Sequence, residues 1–338
     1  MALLHYTEGL TLESGIHLSH LDIAYTTYGH FTAGTSKVVW ICHALTADSD
    51  PAEWWKGLVG EDYLINPDTY FIVCANILGS CYGTTGPLSN NPATGNPYYS
   101  DFPAYTIRDM VRAHQILCRH LGIQEIYLLA GGSMGGYQAL EWCMMEPELI
   151  KRVFLIATSP AESAWGIAIH TAQRLAIEAD PGWKEHHAAA GANGLKAARA
   201  IGMLTYRDYA AFLASQSDPD TEKTDGFRAE SYIIYQGEKL VRRFHAYSYW
   251  LLTKAMDSHQ LARGRNVTPE QALQLIRQPV LVIGITSDML CPLREQRYMK
   301  EHIPDAKLIE IDSLFGHDGF LIETAQISHH LGEWLRNN

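Results

Sequence analysis

Buried-strand and amphipathic-helix patterns alternate along most of this chain. Short apolar runs typical of strands buried on both faces lie at residues 38–42, 70–77, 126–130, 152–158, 279–285 and 306–311. Helical periodicity fills the intervals at residues 106–121 and 137–145, after residue 292 and at residues 322–335. Strands that alternate with helices pair in parallel through right-handed crossovers. The pattern therefore predicts an α/β domain with a mostly parallel sheet flanked by helices, with an edge strand at residues 23–28.

The alternation stops between residues 161 and 276. This segment is mostly helix-forming, with helix-like spacing at residues 168–178, 194–203, 206–215 and 239–256. We interpret it as a helical lid domain, 161–276, inserted into a core domain formed by residues 1–160 and 277–338. Such an insertion is expected over the carboxyl ends of the strands, where open α/β sheets place their ligands. The long polar loop at residues 78–101 is also expected to be functional, because unstructured loops of that length are uncommon in compact domains.

The strand at residues 126–130 ends in a glycine-rich turn that carries a serine. Gly131, Ser133 and Gly135 match G-x-S-x-G, and a helix-forming run follows from Tyr137, which is the context of a nucleophile elbow. The turn strains the backbone of the serine, and glycines beside it let neighbouring chain pass where a Cβ would collide. The alternatives are a turn that only packs, or one that cradles a phosphate. We predict that Ser133 is a nucleophile.

A nucleophilic serine needs a general base, and the base needs a carboxylate that orients it. With a nucleophile elbow the chain order is serine, acid, histidine, each directly after a strand. Asp288 follows the strand at residues 279–285, and His317 follows the strand at 306–311. The order and the positions agree, so we predict a catalytic triad of Ser133, Asp288 and His317. Asp312 is a less favoured acid, because it lies in the same loop as His317.

Two backbone amides are needed to stabilise an oxyanion in such a site. The amide of Met134 lies at the predicted helix N-terminus, where the helix dipole also favours negative charge. Leu45, in the loop after the strand at residues 38–42, is predicted to supply the second amide. Each such donor typically contributes roughly a hundred- to a thousandfold in rate. His43, in the same loop, is expected to brace it rather than to act as a second base.

Composition and charge exclude several classes of function. The net charge of −11 argues against nucleic acid or an anionic membrane as a partner. Residues 161–276 carry 13 basic and 13 acidic residues, whereas the remainder carries 13 and 24, so a polyanionic ligand is repelled least by the middle segment. The six cysteines form no C-x-x-C pair, which predicts neither a zinc site nor a disulfide framework. No leader pattern and no apolar run of ~18 residues is present, so we expect a cytoplasmic protein.

Eight segments carry a more specific resemblance. They are His-Ala-Leu-Thr at 43–46, Gly-Ser-Cys-Tyr-Gly-Thr-Thr-Gly-Pro at 79–87, Ser-Asp-Phe-Pro at 100–103, Ile-Arg-Asp-Met-Val-Arg-Ala at 107–113, Gly-Ser-Met-Gly-Gly at 132–136, Thr-Tyr-Arg at 205–207, Tyr-Gln-Gly-Glu-Lys at 235–239 and Gly-His-Asp-Gly-Phe-Leu at 316–321. Together they resemble the homoserine O-acetyltransferase family of the α/β-hydrolase superfamily, over nearly the whole chain. The resemblance implies the α/β-hydrolase fold.

The resemblance also implies an activity. Enzymes of this family move an acetyl group from acetyl-CoA, through an acyl-serine, to the hydroxyl of L-homoserine in a ping-pong reaction of methionine biosynthesis. They use acetyl-CoA as a substrate and no metal or bound prosthetic group, and their helical insertion forms a lid and usually a homodimer interface. By motif, Arg207 is expected to bind the homoserine carboxylate and Asp318 its ammonium group. The alternatives are a solvated lid residue for Arg207 and a helix N-cap for Asp318.

Three departures from the family pattern leave the exact substrates open. Ala47 stands where the family usually has Gly, and Tyr82 where it more often has Lys or Gln. The segment at residues 243–249 replaces an acid and an amide of the family pattern and brings in His245. Succinyl-CoA as donor or serine as acceptor are the near alternatives, followed by an esterase or thioesterase of the same fold. An α/β-hydrolase without catalytic activity that serves as a binding protein is a further alternative, against which an intact triad argues.

Overall fold

A computed structural model describes residues 1–338, and an eight-stranded sheet lies at its centre. The strands are β1 (Ala2–Tyr6), β2 (Leu10–Thr11), β3 (His17–Leu18), β4 (Leu21–Tyr28), β5 (Lys37–Cys42), β6 (Tyr70–Ala75), β7 (Leu128–Gly132), β8 (Val153–Ile156), β9 (Val280–Ile285) and β10 (Ala306–Ile311). The sheet order is β1-β4-β6-β5-β7-β8-β9-β10, and β2 pairs separately with β3. All pairs from β6 to β10 are parallel. The predicted fold class is confirmed.

One strand prediction was wrong. The segment at residues 23–28 lies within β4, which pairs with β1 on one side and with β6 on the other, so it is not an edge strand. The edge is formed by β1, the first five residues after Met1. Its alternation of exposed and buried side chains is weak, because only Leu4 is buried, and the sequence pattern therefore does not reveal it.

Helices cover both faces of the sheet. They are α1 (Pro51–Trp54), α2 (Ile107–His120), α3 (Met134–Met145), α4 (Ala164–Glu178), α5 (Ala192–Tyr206), α6 (Tyr209–Gln216), α7 (Arg228–Val241), α8 (Ala246–Asp257), α9 (Pro269–Gln274), α10 (Leu293–His302), α11 (Gly319–Ile322) and α12 (Thr324–Asn337). Successive strand residues point to opposite faces, so Trp40 joins a core with α2, α3 and α10, whereas Ile41 joins a core with α12. None of these helices has the length and apolar character needed to cross a membrane.

The segment between β8 and β9 contains the six helices α4 to α9. The single helix expected at residues 239–256 is instead two helices, α7 and α8, separated by a turn at residues 242–245. His245 causes the restart, because its Nδ1 accepts a hydrogen bond from the amide of Ser248 and so caps α8. Phe244 is buried in the same turn. Apolar spacing continued across the break, which is why periodicity alone predicted one helix.

Candidate active site

Apart from Arg207, which lies between α5 and α6, the predicted site residues lie at the carboxyl ends of four parallel strands. Leu45 follows β5, Ser133 follows β7, Asp288 follows β9 and His317 follows β10. The register pairs Cys42 with Gly131 and Ile285 with Ile311, so these strands end at the same edge of the sheet. Residues that are far apart in sequence therefore meet there, as is usual for open α/β sheets.

Ser133 sits in a strained turn between β7 and α3. Its φ of 53° and ψ of −127° are rarely adopted by residues other than glycine. A Cβ on Gly135 would lie 2.0 Å from the carbonyl oxygen of Cys42, and a Cβ on Gly131 would lie 2.3 Å from that of Gly135. Both positions therefore require glycine. The turn raises Ser133 to the end of the sheet, as expected for a nucleophile elbow.

Neighbouring backbone holds this strained serine in place. Its amide donates to the carbonyl of Ile156 in β8 at 3.1 Å, and its carbonyl accepts from the amide of Gly136 at 2.9 Å. The hydroxyl of Thr158 donates to the same carbonyl at 2.8 Å. The sequence analysis did not identify Thr158 as a supporting residue. Its only sequence signal is that it lies at the end of the strand next to the one that carries Ser133.

A continuous hydrogen-bonded chain joins the three triad residues. The Oγ of Ser133 lies 2.9 Å from Nε2 of His317, and Nδ1 of His317 lies 2.7 Å from Oδ2 of Asp288. The other carboxylate oxygen of Asp288 accepts from the amides of Leu290 and Cys291, at 2.8 and 2.9 Å. With Nδ1–H donating to Asp288, Nε2 is left to accept the proton of the serine hydroxyl. The arrangement has the geometry of a nucleophile, a general base and an orienting acid.

Electrostatics also suits His317 to accept a proton. Burial by itself would lower the pKa of the imidazole, but the charge and hydrogen bond of Asp288 outweigh burial and raise that pKa above its ordinary value. The rival acid, Asp312, is exposed and accepts a hydrogen bond from the hydroxyl of Thr286 at 2.9 Å. Asp288, not Asp312, is the carboxylate that contacts His317.

The loop after β5 is held by buried side chains. Nδ1 of His43 donates to the carbonyl of Ala44 at 2.8 Å, and its Nε2 accepts from the amide of Ile77 at 3.1 Å. Burial lowers the pKa of His43 to about 4, so the ring is neutral, as a bracing residue would be. Gln138 in α3 donates to the carbonyls of His43 and Met134 at 3.1 and 3.2 Å, and so links the two segments that carry the predicted oxyanion amides.

Gln138 was missed by the sequence analysis. Its signal is a polar residue in the first turns of a mostly apolar helix directly after the nucleophile. The side chain is fully buried, and its carbonyl oxygen accepts from Nε2 of His114 at 2.9 Å. A buried amide with every group paired fixes its neighbours firmly. The residue therefore positions the loop of Leu45 relative to the N-terminus of α3.

Arg207 and Asp318 lie side by side. Nε of Arg207 is 2.9 Å from Oδ2 of Asp318, although its N–H does not point along a hydrogen bond. Asp318 follows His317 directly and lines the pocket above Ser133, whereas Arg207 lines a neighbouring cavity of about 360 Å³. Burial raises the pKa of Asp318 despite the opposing effect of Arg207. The side chain of Asp318 accepts no hydrogen bond from the backbone amides of α11, so it does not act as the side-chain N-cap considered as an alternative.

The triad opens into a pocket of about 450 Å³ between the sheet edge and the inserted helices. From the core it is lined by Ser133, His317, Asp318 and the loop at residues 44–48. From the inserted segment it is lined by His170, Arg199, Tyr206, Lys239, Arg243 and Met256. Its volume suits a small-molecule ligand. The helical insertion therefore forms one wall of the pocket, on the side of the sheet where it was expected.

One grouping in the site has the donor atoms of a metal site. Asp288, Cys291 and His317 place a carboxylate, a thiol and an imidazole within 4.8 Å of one another. Burial raises the pKa of the Cys291 thiol well above its ordinary value, and a neutral thiol is a poor ligand. Asp288 and His317 already bind each other, and the free oxygen of Asp288 accepts two amides. These residues fit proton transfer better than metal coordination.

Comparisons with known proteins show the family and the fold of the chain. Residues 37–324 match the alpha/beta hydrolase fold family. The chain is 48% identical over 332 residues to the homoserine O-acetyltransferase of Cyclobacterium marinum, covering 98% of this chain and 94% of that protein. It is also similar to the crystal structure of homoserine O-acetyltransferase from Bacillus anthracis, with a TM-score of 0.90, 26% identity and coverage of 99% and 97%. Esterase E22, with a TM-score of 0.89, 22% identity and coverage of 99% of each chain, shares the fold.

Proposed function

The chain belongs to the homoserine O-acetyltransferase family within the α/β-hydrolase fold, and on that premise we propose that it transfers an acetyl group from acetyl-CoA to the hydroxyl of L-homoserine. The reaction is a step of methionine biosynthesis. The observation that carries the proposal is the chain of contacts from Ser133 through His317 to Asp288, in a chain so similar to homoserine O-acetyltransferases. Acetyl-CoA is a substrate in this scheme, and no bound cofactor takes part.

In the first half-reaction the enzyme is acetylated. His317 takes the proton of Ser133 through Nε2, and Oγ attacks the thioester carbonyl. The amides of Leu45 and Met134 are proposed to stabilise the oxyanion, and the hydrogen bonds from Gln138 to the carbonyls of His43 and Met134, which link the two segments that carry these amides, support the proposal. The carbon–sulfur bond then breaks, and His317 returns the proton to the departing thiolate. The products are coenzyme A and acetyl-Ser133.

In the second half-reaction the acetyl group moves to the acceptor. His317 takes the proton of the homoserine hydroxyl, the hydroxyl oxygen attacks acetyl-Ser133, and Ser133 recovers the proton as the product leaves. Arg207 is proposed to bind the carboxylate of homoserine and Asp318 its ammonium group. The 2.9 Å separation of Arg207 and Asp318 supports this, because a zwitterionic amino acid requires opposite charges a few ångströms apart.

The insertion at residues 161–276 is proposed to act as a lid domain over the core formed by residues 1–160 and 277–338. Four of its helices, α4, α5, α7 and α8, supply one wall of the pocket, which supports a role in limiting the access of water to acetyl-Ser133. Exposed apolar side chains on this segment, including Trp165, Leu204, Tyr209 and Leu213, support a proposed homodimer interface formed by the lid. The partner would then be a second copy of this chain.

One experiment tests the proposed activity. Purified protein is mixed with acetyl-CoA and with homoserine, serine or no acceptor, and free thiol and product mass are followed; succinyl-CoA replaces acetyl-CoA in a parallel series. We expect thiol release that depends on homoserine, with O-acetylhomoserine as product. Equal thiol release without an acceptor would contradict the transferase and favour a thioesterase. A succinyl or seryl product would instead identify the nearest alternative within the family.

The replacement of Arg207 by alanine should chiefly impair acceptor binding. We expect the KM for homoserine to rise at least about tenfold, because charge-assisted hydrogen bonds to the carboxylate are lost. Acetylation of Ser133 by acetyl-CoA, measured by intact mass without acceptor, should survive. Arg207→Lys, which keeps the charge but not the planar fork, should be intermediate. Equal loss of both half-reactions would refute the role assigned to Arg207.

The pH dependence of the reaction should follow His317. The base is active only when neutral, and its pKa is raised above 6.5, so kcat/KM should fall about tenfold per pH unit below a midpoint that lies above 6.5. The measurement is kcat/KM for acetyl-CoA at a fixed, saturating homoserine concentration, with circular dichroism at each pH to verify folding. A midpoint below 6.5 would contradict the influence of Asp288 on this ring.

A further inference from the structure

The turn between α7 and α8 is fastened to two loops of the core. Arg243, in this turn, donates through one guanidinium nitrogen to the carbonyl oxygen of Thr46 and to the hydroxyl of Tyr82, the latter at 2.5 Å. A second guanidinium nitrogen donates to Oγ1 of Thr46 at 3.5 Å. The clasp, as we name Arg243, Thr46 and Tyr82, therefore joins the inserted segment to the loop after β5 and to the polar loop at residues 78–101.

Further contacts hold the clasp in place. The backbone carbonyl of Arg243 accepts from Sγ of Cys81 at 3.5 Å, and the buried ring of Phe244 packs edge-on against the ring of Tyr82, with 5.8 Å between the centroids. The side-chain amide of Asn76, directly after β6, donates to the carbonyl of Tyr82 at 2.8 Å. The guanidinium of Arg243 is exposed, but the groups that it binds are fixed by the core.

The clasp contacts the backbone turn that carries the predicted oxyanion amide. Leu45 and Thr46 are the central residues of this turn, which is closed by a backbone hydrogen bond of 3.1 Å. The carbonyl of His43, just before the turn, is held from the core by Gln138. The carbonyl of Thr46 is held from the insertion by Arg243. Leu45 therefore lies between one peptide group that the core fixes and another that the insertion fixes.

The clasp also brings together the three departures from the family pattern. Ala47, Tyr82 and the segment at residues 243–249 are separate in sequence. In the structure the amide of Ala47 closes the backbone turn, and Tyr82 accepts from Arg243. His245 caps α8 and so creates the turn from which Arg243 reaches the core. Departures that meet at one contact point to a joint role in this chain.

We propose that Arg243 is a positioning residue, which fixes the turn of Leu45 from the side of the insertion and keeps the Leu45 amide directed at the oxyanion. This inference rests on the proposed function. An amide stabilises an oxyanion effectively when it is oriented before the reaction begins. A charged donor restrains a backbone carbonyl more strongly than a neutral one. Docking of the insertion and assembly of the oxyanion site are therefore one event, and acylation of Ser133 is fast only while the insertion is docked.

The test compares the same substitution at two neighbouring arginines. Arg243→Met keeps an unbranched side chain but removes every donor, and Arg242→Met makes the same change at an exposed residue that lies 3.9 Å from Glu238 and does not line the pocket. The substrate is p-nitrophenyl acetate without acceptor. Oγ of Ser133 attacks its carbonyl, the ester bond breaks, and p-nitrophenol leaves with the proton that His317 carries.

We expect the rate constant for acylation to fall about tenfold in Arg243→Met, a part of the effect typical of one oxyanion donor. Half-saturation by the ester should be unchanged, because the loss falls on the transition state. Arg243→Lys keeps a charged donor and should restore part of the rate. Arg242→Met should remain within about twofold of the wild type. Equal losses in Arg242→Met and Arg243→Met, or weaker ester binding at an unchanged acylation rate, would overturn the inference.

Inhibition by ethylboronic acid reports on the oxyanion site directly, because its adduct with Ser133 is tetrahedral and anionic. Its affinity should fall about tenfold in Arg243→Met, in step with the acylation rate. Tyr82→Phe removes one partner of Arg243 but leaves the carbonyl of Thr46, so it should cause a smaller loss in both measurements; thermal unfolding verifies the fold of each variant. Unchanged boronate affinity in Arg243→Met would overturn the inference. If the wild type binds the boronate but forms no O-acetylhomoserine, the proposed function fails while this comparison still decides the role of Arg243.

Discussion

Ser133→Ala should lower kcat for O-acetylhomoserine formation by at least about 10⁴-fold, because the oxygen that carries the acetyl group is removed. The residual rate would come from binding and from the oxyanion amides, which alanine leaves in place. Incubation with acetyl-CoA followed by intact mass spectrometry should show one acetyl group on the wild type and none on the variant. Substrate binding should remain, because no group that binds the acceptor is touched.

The matched control is Ser80→Ala. Ser80 is also a buried serine, but its hydroxyl has no hydrogen-bond partner and does not contact His317. Its replacement should leave kcat within about twofold and test whether the loss of a buried hydroxyl alone affects the fold. If Ser133→Ala still became acetylated and turned over substrate while folded as the wild type, the covalent mechanism would be wrong. A fluorophosphonate probe should label the wild type and Ser80→Ala but not Ser133→Ala.

Asp288→Asn should lower kcat by about 10⁴-fold, the size of effect known for the equivalent change in another serine–histidine–aspartate triad. Asparagine nearly preserves the shape, but its neutral amide no longer stabilises the imidazolium and can present N–H to Nδ1 of His317. The ring then adopts the tautomer with the proton on Nε2, which cannot accept the proton of Ser133. The midpoint of the pH profile of any residual activity should also fall, because Asp288 raises the pKa of His317.

Asp312→Asn provides the comparison for the acid. Asp312 is a carboxylate in the same loop as His317, yet it is exposed and its partner is Thr286. We expect kcat to change by no more than about threefold, in keeping with an exposed hydrogen bond. Steady-state assays of both variants at several pH values decide the matter. A larger effect at Asp312 than at Asp288 would mean that the carboxylate 2.7 Å from His317 is not the functional acid.

The sequence predicted the elements that position the site because their signals are local. Buried parallel strands are short apolar runs, and β5, β7, β9 and β10 all appear within a few residues of their predicted bounds. The elbow glycines reflect steric requirements at single positions, such as the 2.0 Å approach to Cys42 at Gly135. Chain order then specified which strand ends meet. Local signals failed at two places. The edge strand β1 has only one buried side chain and so lacks a strand pattern, and apolar spacing continues across the break between α7 and α8 at His245.

What the sequence determined by itself was the fold class, the family and the three residues that the structure joins by hydrogen bonds. The fold class and the triad follow from local pattern and chain order, and the family follows from the resemblance of its motifs. Only the tertiary structure decided which side chains of the insertion reach the site. Helical periodicity identifies the apolar face of a helix, but it does not say against which other element that face packs. The position of Arg207 beside Asp318, the link through Gln138 and the clasp formed by Arg243 all depend on contacts between segments far apart in sequence. Ser133 could be recognised from its own turn, whereas the groups expected to choose its substrates became visible only when the chain was folded.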